Sequence, residues 1–205
     1  MYLMKKVIVS RLFNVLSDYE DAIPTSTMLV IDKVRHDKNI FIVMENCACD
    51  DILFYDYSYP FIDYIIACNG SYVYNPRKKK VIFKKKMLST DLNRIEKNIT
   101  SKTKYYTEED GVYKIDIIDY KKSDLELIKK LKLNYFINNN ILEVNRCNKL
   151  EALNKILKDK YNNKDIISIG FDESDKCVLD NTCGHLVKQG DNNNKIVEKI
   201  LKEYF

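Results

Sequence analysis

Short runs of apolar residues alternate with segments of helical spacing at both ends of the chain. Positions 7–9, 40–43, 64–68 and 165–170 are apolar almost throughout, the pattern of strands covered on both faces. Between them, 25–36 carries Met28, Ile31 and Val34 at helical spacing. Positions 50–57 read as a short helix that stops before Pro60. Asn148 is placed to cap a helix with Glu151 at its third position, and Leu150, Leu153, Leu157 and Tyr161 form its inner face. Positions 194–205 turn Ile196, Val197, Ile200 and Leu201 to one side. This alternation predicts an α/β fold on a parallel sheet.

The middle of the chain is patterned differently. Positions 80–84 form an apolar strand flanked by lysines, and 112–117 alternate apolar and polar. Positions 89–99 predict a helix with Leu92, Ile95 and Ile99 on one face. Ser123, Asp124, Leu125 and Glu126 open another that runs through Leu131. Two short strands flank Asn138, Asn139 and Asn140. An α+β insert follows, an antiparallel sheet with two helices on one face. The expected organisation is a core domain of residues 1–75 and 143–205, split by an insert of residues 76–142.

Composition narrows the classes. The chain has 205 residues, 45% hydrophobic and 31% charged, with 5 Gly and 3 Pro, which excludes disordered and collagen-like proteins. No apolar run approaches the length of a membrane span. The first residues lead straight into a strand-like run without the layout of a secretory signal, so a cytoplasmic location is expected. A net charge of +4, from 34 basic and 30 acidic residues, is too small to imply nucleic acid as a partner. The six cysteines include no C-x-x-C pair, and reduced, partly buried thiols are expected. Cys47 with Cys49, and Cys183 with His185, are the spacings that could form half of a metal site. The lysine runs 77–80 and 84–86, near Tyr72, Tyr74 and Phe83, read as a protected edge strand rather than a stacking surface for bases. The Tyr-rich stretch 54–59 reads as helix packing, with an interface as the other reading.

The order of segments resembles the haloacid dehalogenase (HAD) superfamily, in its Cof-like branch with a cap inserted between the second and third motifs. The residues that carry the resemblance are 148–153, 165–170 and 172–175, supported by 65–70 with Asn69 and Gly70 at the turn into the cap. The resemblance implies a Rossmann-like core, a small cap and a Mg²⁺-dependent phosphatase. Such an enzyme has a D-x-D nucleophile and acid/base after the first strand, a Thr or Ser after the second, a Lys, and an acidic loop holding the metal. An aspartyl-phosphate requires a carboxylate nucleophile, and Mg²⁺ requires hard oxygen ligands.

Most of those positions are altered here. The nucleophile position is Ser10 and the acid/base position Leu12. The second strand ends in Met44, Glu45 and Asn46, and the first acid of the last loop is Phe171. Lys149 and Asp175 keep the family identity, with Asp172 and Glu173 beside them. Lys149 reads equally as a solvated lysine or a retained phosphate binder. The acids read as helix-dipole partners, with Asp172 and Asp175 as weak metal candidates. Ser10 has no histidine placed by motif to activate it. The expectation is a catalytically inactive pseudophosphatase with a binding, regulatory or structural role, needing no cofactor. Its residual cleft would gather Ser10, Asn46, Asn69, Lys149, Asp172 and Asp175, lined or plugged by Leu12, Phe13, Met44 and Phe171. Two alternatives stand beside it: an unusual phosphomonoester hydrolase using Mg²⁺ and the acidic loop, and a non-catalytic subunit of an active relative. A protein partner or a second copy of the chain is the expected partner class.

Overall fold

In the computed structural model, which describes residues 5–17, 22–48, 50–51, 59–158, 160–188 and 192–205, the elements follow in the order β1 (Val7–Ser10), α1 (Thr25–His36), β2 (Ile40–Met44), β3 (Tyr64–Ala67), β4 (Tyr72–Asn75), β5 (Lys80–Lys84), α2 (Ser89–Asn98), β6 (Lys102–Glu108), β7 (Gly111–Ile118), α3 (Lys122–Lys130), β8 (Asn134–Asn138), β9 (Ile141–Asn145), α4 (Lys149–Leu157), β10 (Ile166–Gly170), α5 (Lys176–Leu179), β11 (Cys183–Leu186) and α6 (Asn193–Tyr204). One sheet has the order β11-β10-β1-β2-β3-β4-β5. Its first five strands are parallel, and β4 and β5 close it as an antiparallel hairpin.

Period-two alternation along the buried strands sends successive side chains to opposite faces. Ile8, Phe41, Val43, Ile65, Ile167 and Ile169 meet Ile31, Val34, Val197 and Leu201 from α1 and α6 on one face. Val7, Val9, Ile42, Met44, Ile66 and Ile166 meet Ala152, Leu153 and Leu157 from α4 on the other. The continuous apolar runs are thus strands sandwiched between two helical layers.

The second sheet, β6-β7-β9-β8, is antiparallel throughout. On one face Ile115, Ile117, Leu142 and Val144 pack against Ile95 of α2 and Ile128 of α3. The intervening positions Lys114, Asp116, Glu143 and Asn145 are also buried. Their partners include the backbone and side chains at the ends of β2 and β3.

Several expectations are corrected. Placing the insert at 76–142 assigns residues 80–84 to it, but β5 pairs with β4 in the seven-stranded sheet, because Val73 and Ile82 are drawn into the core. At the other end, a boundary after 142 cuts through β9, which belongs to the four-stranded sheet. Of the residues expected to open α3, Asp124 accepts from the Lys121 backbone at 2.9 Å. Strands β4, β6 and β11 lack a clear apolar signature and were not expected. Most of the helix expected at 50–57, and the aromatic stretch 54–58, lie outside the described residues, as does Cys49. Tyr59 is buried and its hydroxyl accepts from the Ile23 backbone at 3.0 Å.

Several members of the lysine runs are paired within the molecule. Lys84 contacts Asp110 at 2.6 Å, Lys85 contacts Glu151 at 3.5 Å, and Arg77 contacts Asp63 at 2.9 Å. Among the described residues, no helix is long and apolar enough to cross a membrane.

Candidate functional site

The parallel strands β1, β2 and β10 deliver Ser10, Met44 and Gly170 to one end of the sheet, where ligands of open α/β folds bind. The loops that follow carry a dense set of charged side chains. Lys149, the first residue of α4, enters beneath them with no solvent exposure. Its Nζ donates to Asp175 Oδ1 at 2.5 Å, Asn46 Oδ1 at 2.5 Å and Ser174 Oγ at 2.8 Å. An ammonium has three donors, and all three are used. The solvated reading of Lys149 is therefore wrong, and as a phosphate binder it is already occupied.

A second buried cation stands beside Lys149, with no motif of the chain to announce it. Arg11, the residue between the two eroded D-x-D positions, is buried at 6% exposure. Its Nη2 donates to Glu45 Oε2 at 3.1 Å; its Nη1 bonds Asp172 Oδ2 and lies 3.5 Å from Asp175 Oδ2. Burial alone would lower the guanidinium pKa, but Glu45, Asp175 and Asp172 outweigh it and the net shift is upward. Glu45 also accepts from the backbone N–H of Leu12 at 2.8 Å and Phe13 at 2.9 Å, which fixes the loop leaving β1. Burial would raise the Asp172 carboxyl; Arg11, Lys149 and Ser174 prevail and hold it at about 2. Asp175, with no exposure, accepts from the backbone of Phe171 at 2.8 Å and Asp172 at 3.2 Å.

These residues do not fit the Mg²⁺ that the resemblance implies. The carboxylates Asp172 and Asp175 already face the Arg11 guanidinium and, for Asp175, the Lys149 ammonium. Leu12 is packed into the core instead of offering oxygen. Among the described residues, no group of three or more His, Cys, Asp or Glu is arranged to hold a metal ion. Ser10 has no exposure, and its hydroxyl donates to the Arg11 carbonyl at 2.9 Å. Among the described residues, the carboxylates here are taken up by cations of the chain, and Ser10 is not accessible as a nucleophile.

The expected cleft residues thus divide. Ser10, Asn46, Lys149, Asp172 and Asp175 are at this strand end, and Asn46 is bonded to both Lys149 and Asp172. Asn69 is apart from them: its amide donates to Glu143 of β9 at 2.6 Å. Met44 and Leu12 are core residues on opposite faces of the sheet and line no cleft. Phe171 is half-buried and lines a cavity of about 230 Å³ between the core and β8. Phe171 also packs against the core cluster that holds Leu12, so one side of its ring fills the core and the other borders the cavity. Cys183 and His185 form no metal half-site: the thiol contacts the Lys164 carbonyl and the imidazole the Tyr204 hydroxyl.

A further buried cluster joins the insert to the core. Lys114 Nζ reaches Glu143 Oε2 at 2.8 Å, Asp116 Oδ1 at 3.0 Å and the Asn46 carbonyl at 3.0 Å. Burial would lower its pKa; Glu143 and Asp116 reverse the sign and keep it charged. The Asn145 amide donates to the carbonyls of Cys68 at 3.1 Å and Asn69 at 2.9 Å. At the same corner Gly70 has φ +101°, and a Cβ there would lie 2.3 Å from the Asn148 carbonyl oxygen. In the alternating run that holds Lys114 and Asp116, charge at positions facing away from the insert's own core was the available signal.

No family model and no curated protein sequence matches the chain. Solved structures do. A phosphatase of the HAD superfamily, BT1666 from Bacteroides thetaiotaomicron, aligns with 98% of this chain and 95% of its own at 14% identity and a TM-score of 0.81. The HAD subclass IIB sugar phosphatase BT4131 aligns over 98% and 99% at 12% identity and 0.74. TM0651 from Thermotoga maritima aligns over 98% and 97% at 17% identity and 0.72. The fold, core and insert together, is that of the Cof-like HAD phosphatases.

Proposed function

We propose that this chain is a catalytically silent version of the HAD phosphatase fold, a pseudophosphatase whose role is binding. One observation carries the reading: the Arg11 guanidinium lies among Glu45, Asp172 and Asp175. In this reading the protein's own cation takes over the charge compensation that the family chemistry assigns to a metal. The nucleophile, acid/base and metal ligands of such a site act as a unit, so losing several removes the activity as a whole. What persists is a framework of charge pairs with an open cavity beside it, suited to recognition without turnover.

The test is hydrolysis of p-nitrophenyl phosphate by the full chain with millimolar Mg²⁺. Release at the buffer rate is expected. Metal-dependent turnover that survives a second purification and disappears in Ser10→Ala overturns the proposal. Circular dichroism of that variant establishes that it is folded.

A further inference from the structure

Among the described residues, the two sheets end in four outer strands, β11 and β5 of the one and β6 and β8 of the other. An outer strand presents backbone N–H and C=O groups that can pair with another chain, and lysines, bulges and short length guard against this. β5 is bounded by Lys80 and Lys84, β6 carries Lys102 and Lys104, and the register shifts along both of their pairings. β11 has four residues, one of them glycine. β8 has none of these guards. Its pairing with β9 is regular from Asn134 to Asn138. Residues 133–142, Leu-Asn-Tyr-Phe-Ile-Asn-Asn-Asn-Ile-Leu, hold no charge, proline or glycine in a chain that is 31% charged.

The register shows which backbone groups of β8 are free. Asn138 faces Ile141 across the two-residue turn of Asn139 and Asn140, so these two form a hydrogen-bonded pair. Alternation then turns the N–H and C=O of Asn134, Phe136 and Asn138 toward β9, and those of Tyr135 and Ile137 outward. Among the described residues, neither Tyr135 nor Ile137 bonds to backbone outside the β8–β9 ladder. Ile137 is also 42% exposed, a large apolar side chain at the open edge.

The strand is complementary to itself. Laid antiparallel on a second copy, with a two-fold axis through Phe136, it sets Asn134 opposite Asn138, Tyr135 opposite Ile137 and Phe136 opposite Phe136. Phe136 then falls in a non-hydrogen-bonded pair, and the outward groups of Tyr135 and Ile137 bond one another across the axis. Aromatic–β-branched and aromatic–aromatic pairs are favourable, and no like charges are opposed. The same operation on β5 sets Lys80 against Lys84.

We infer that β8 docks on β8 of a second copy of this chain, joining two four-stranded sheets into one of eight strands about a two-fold axis. The contact lies at the outer edge of the insert and does not depend on whether the core hydrolyses phosphate.

Sedimentation equilibrium of the full chain from micromolar to millimolar concentration tests the inference, with amide hydrogen exchange followed at both ends of the range. The mass should double, and the Tyr135 and Ile137 amides should exchange more slowly in the concentrated protein. Ile137→Lys should weaken association about tenfold, because both Tyr135–Ile137 pairs are lost and the edge gains a charge. Phe136→Cys should form a disulfide-linked dimer with diamide as oxidant, since Cα atoms of a non-hydrogen-bonded pair lie about 4.5 Å apart, within reach of a disulfide. Circular dichroism establishes that both variants are folded, and the mass and amide exchange of the parent decide the matter without them. A monomer throughout, or a doubled mass without protection of Tyr135 and Ile137, overturns the inference. So does a dimer that a folded Ile137→Lys leaves intact, or a folded Phe136→Cys that cross-links no more than the parent.

Discussion

Lys149 and Asp175 stand 26 positions apart in the chain, yet their Nζ and Oδ1 atoms lie 2.5 Å apart, with neither side chain reaching solvent. The pair ties the start of α4 to the loop after β10. Asp175 in turn orders that loop through the Phe171 and Asp172 backbone. In this setting the lysine and aspartate identities of the family motif serve the architecture of the strand ends.

Removing one member of a buried pair leaves the other charge without compensation. Lys149→Met should therefore lower stability by about 3–5 kcal/mol, read as a fall in the urea unfolding midpoint. The double variant Lys149→Met with Asp175→Asn should recover part of the loss. A single variant as stable as the parent would show that the pair is not a structural tie.

Acid should attack the same region through Asp172. Its carboxyl is held at about 2 against the usual 3.8. A depressed folded-state pKa contributes stability above the unfolded value and loses it as pH falls from about 3.8 through about 2. The contribution is roughly 2 kcal/mol. Denaturant curves from pH 7 to pH 2 should show Asp172→Asn less stable than the parent at neutrality, with the gap closing across that window.

The sandwich of two helical layers around a parallel sheet was legible because Ile166–Gly170 and Ile40–Met44 are apolar in sequence and buried in fact. The cap of α4 was legible because Asn148 and Glu151 are local partners, the side chain accepting from the Glu151 backbone at 2.8 Å. β11, with the sequence Cys-Gly-His-Leu, has alternating partial burial and no apolar run to announce it. The charge cluster escaped for a different reason. Arg11 meets Glu45 and Asp172 across 34 and 161 positions, distances over which spacing carries no signal. An arginine between two eroded acid positions was the available clue, and its meaning depends on acids that only the fold gathers.

Gly70→Ala should destabilise by more than about 1 kcal/mol, because the backbone there is left-handed. The added methyl would also meet the Asn148 carbonyl at 2.3 Å, with backbone on both sides of the contact. Thermal unfolding measures the loss. A neutral Gly70→Ala would mean that the corner and the start of α4 can separate freely.

The thiols of Cys47, Cys68 and Cys147 should react slowly in the native protein. Burial pushes Cys68 up to about 12 and raises Cys47 and Cys147 as well. The thiolate is the reactive species and is scarce at pH 8. Iodoacetamide at that pH, followed by peptide mass spectrometry, should leave Cys68 unmodified in the native protein and label it fully in urea.

Lys114, held by Asp116, Glu143 and the Asn46 carbonyl, cross-braces the two walls of the cleft. Walls braced in this way have little closing motion left to make when a molecule arrives. Association then becomes a single bimolecular step. In rapid mixing the observed rate should climb in a straight line with ligand concentration, without the plateau that marks a slow rearrangement after encounter.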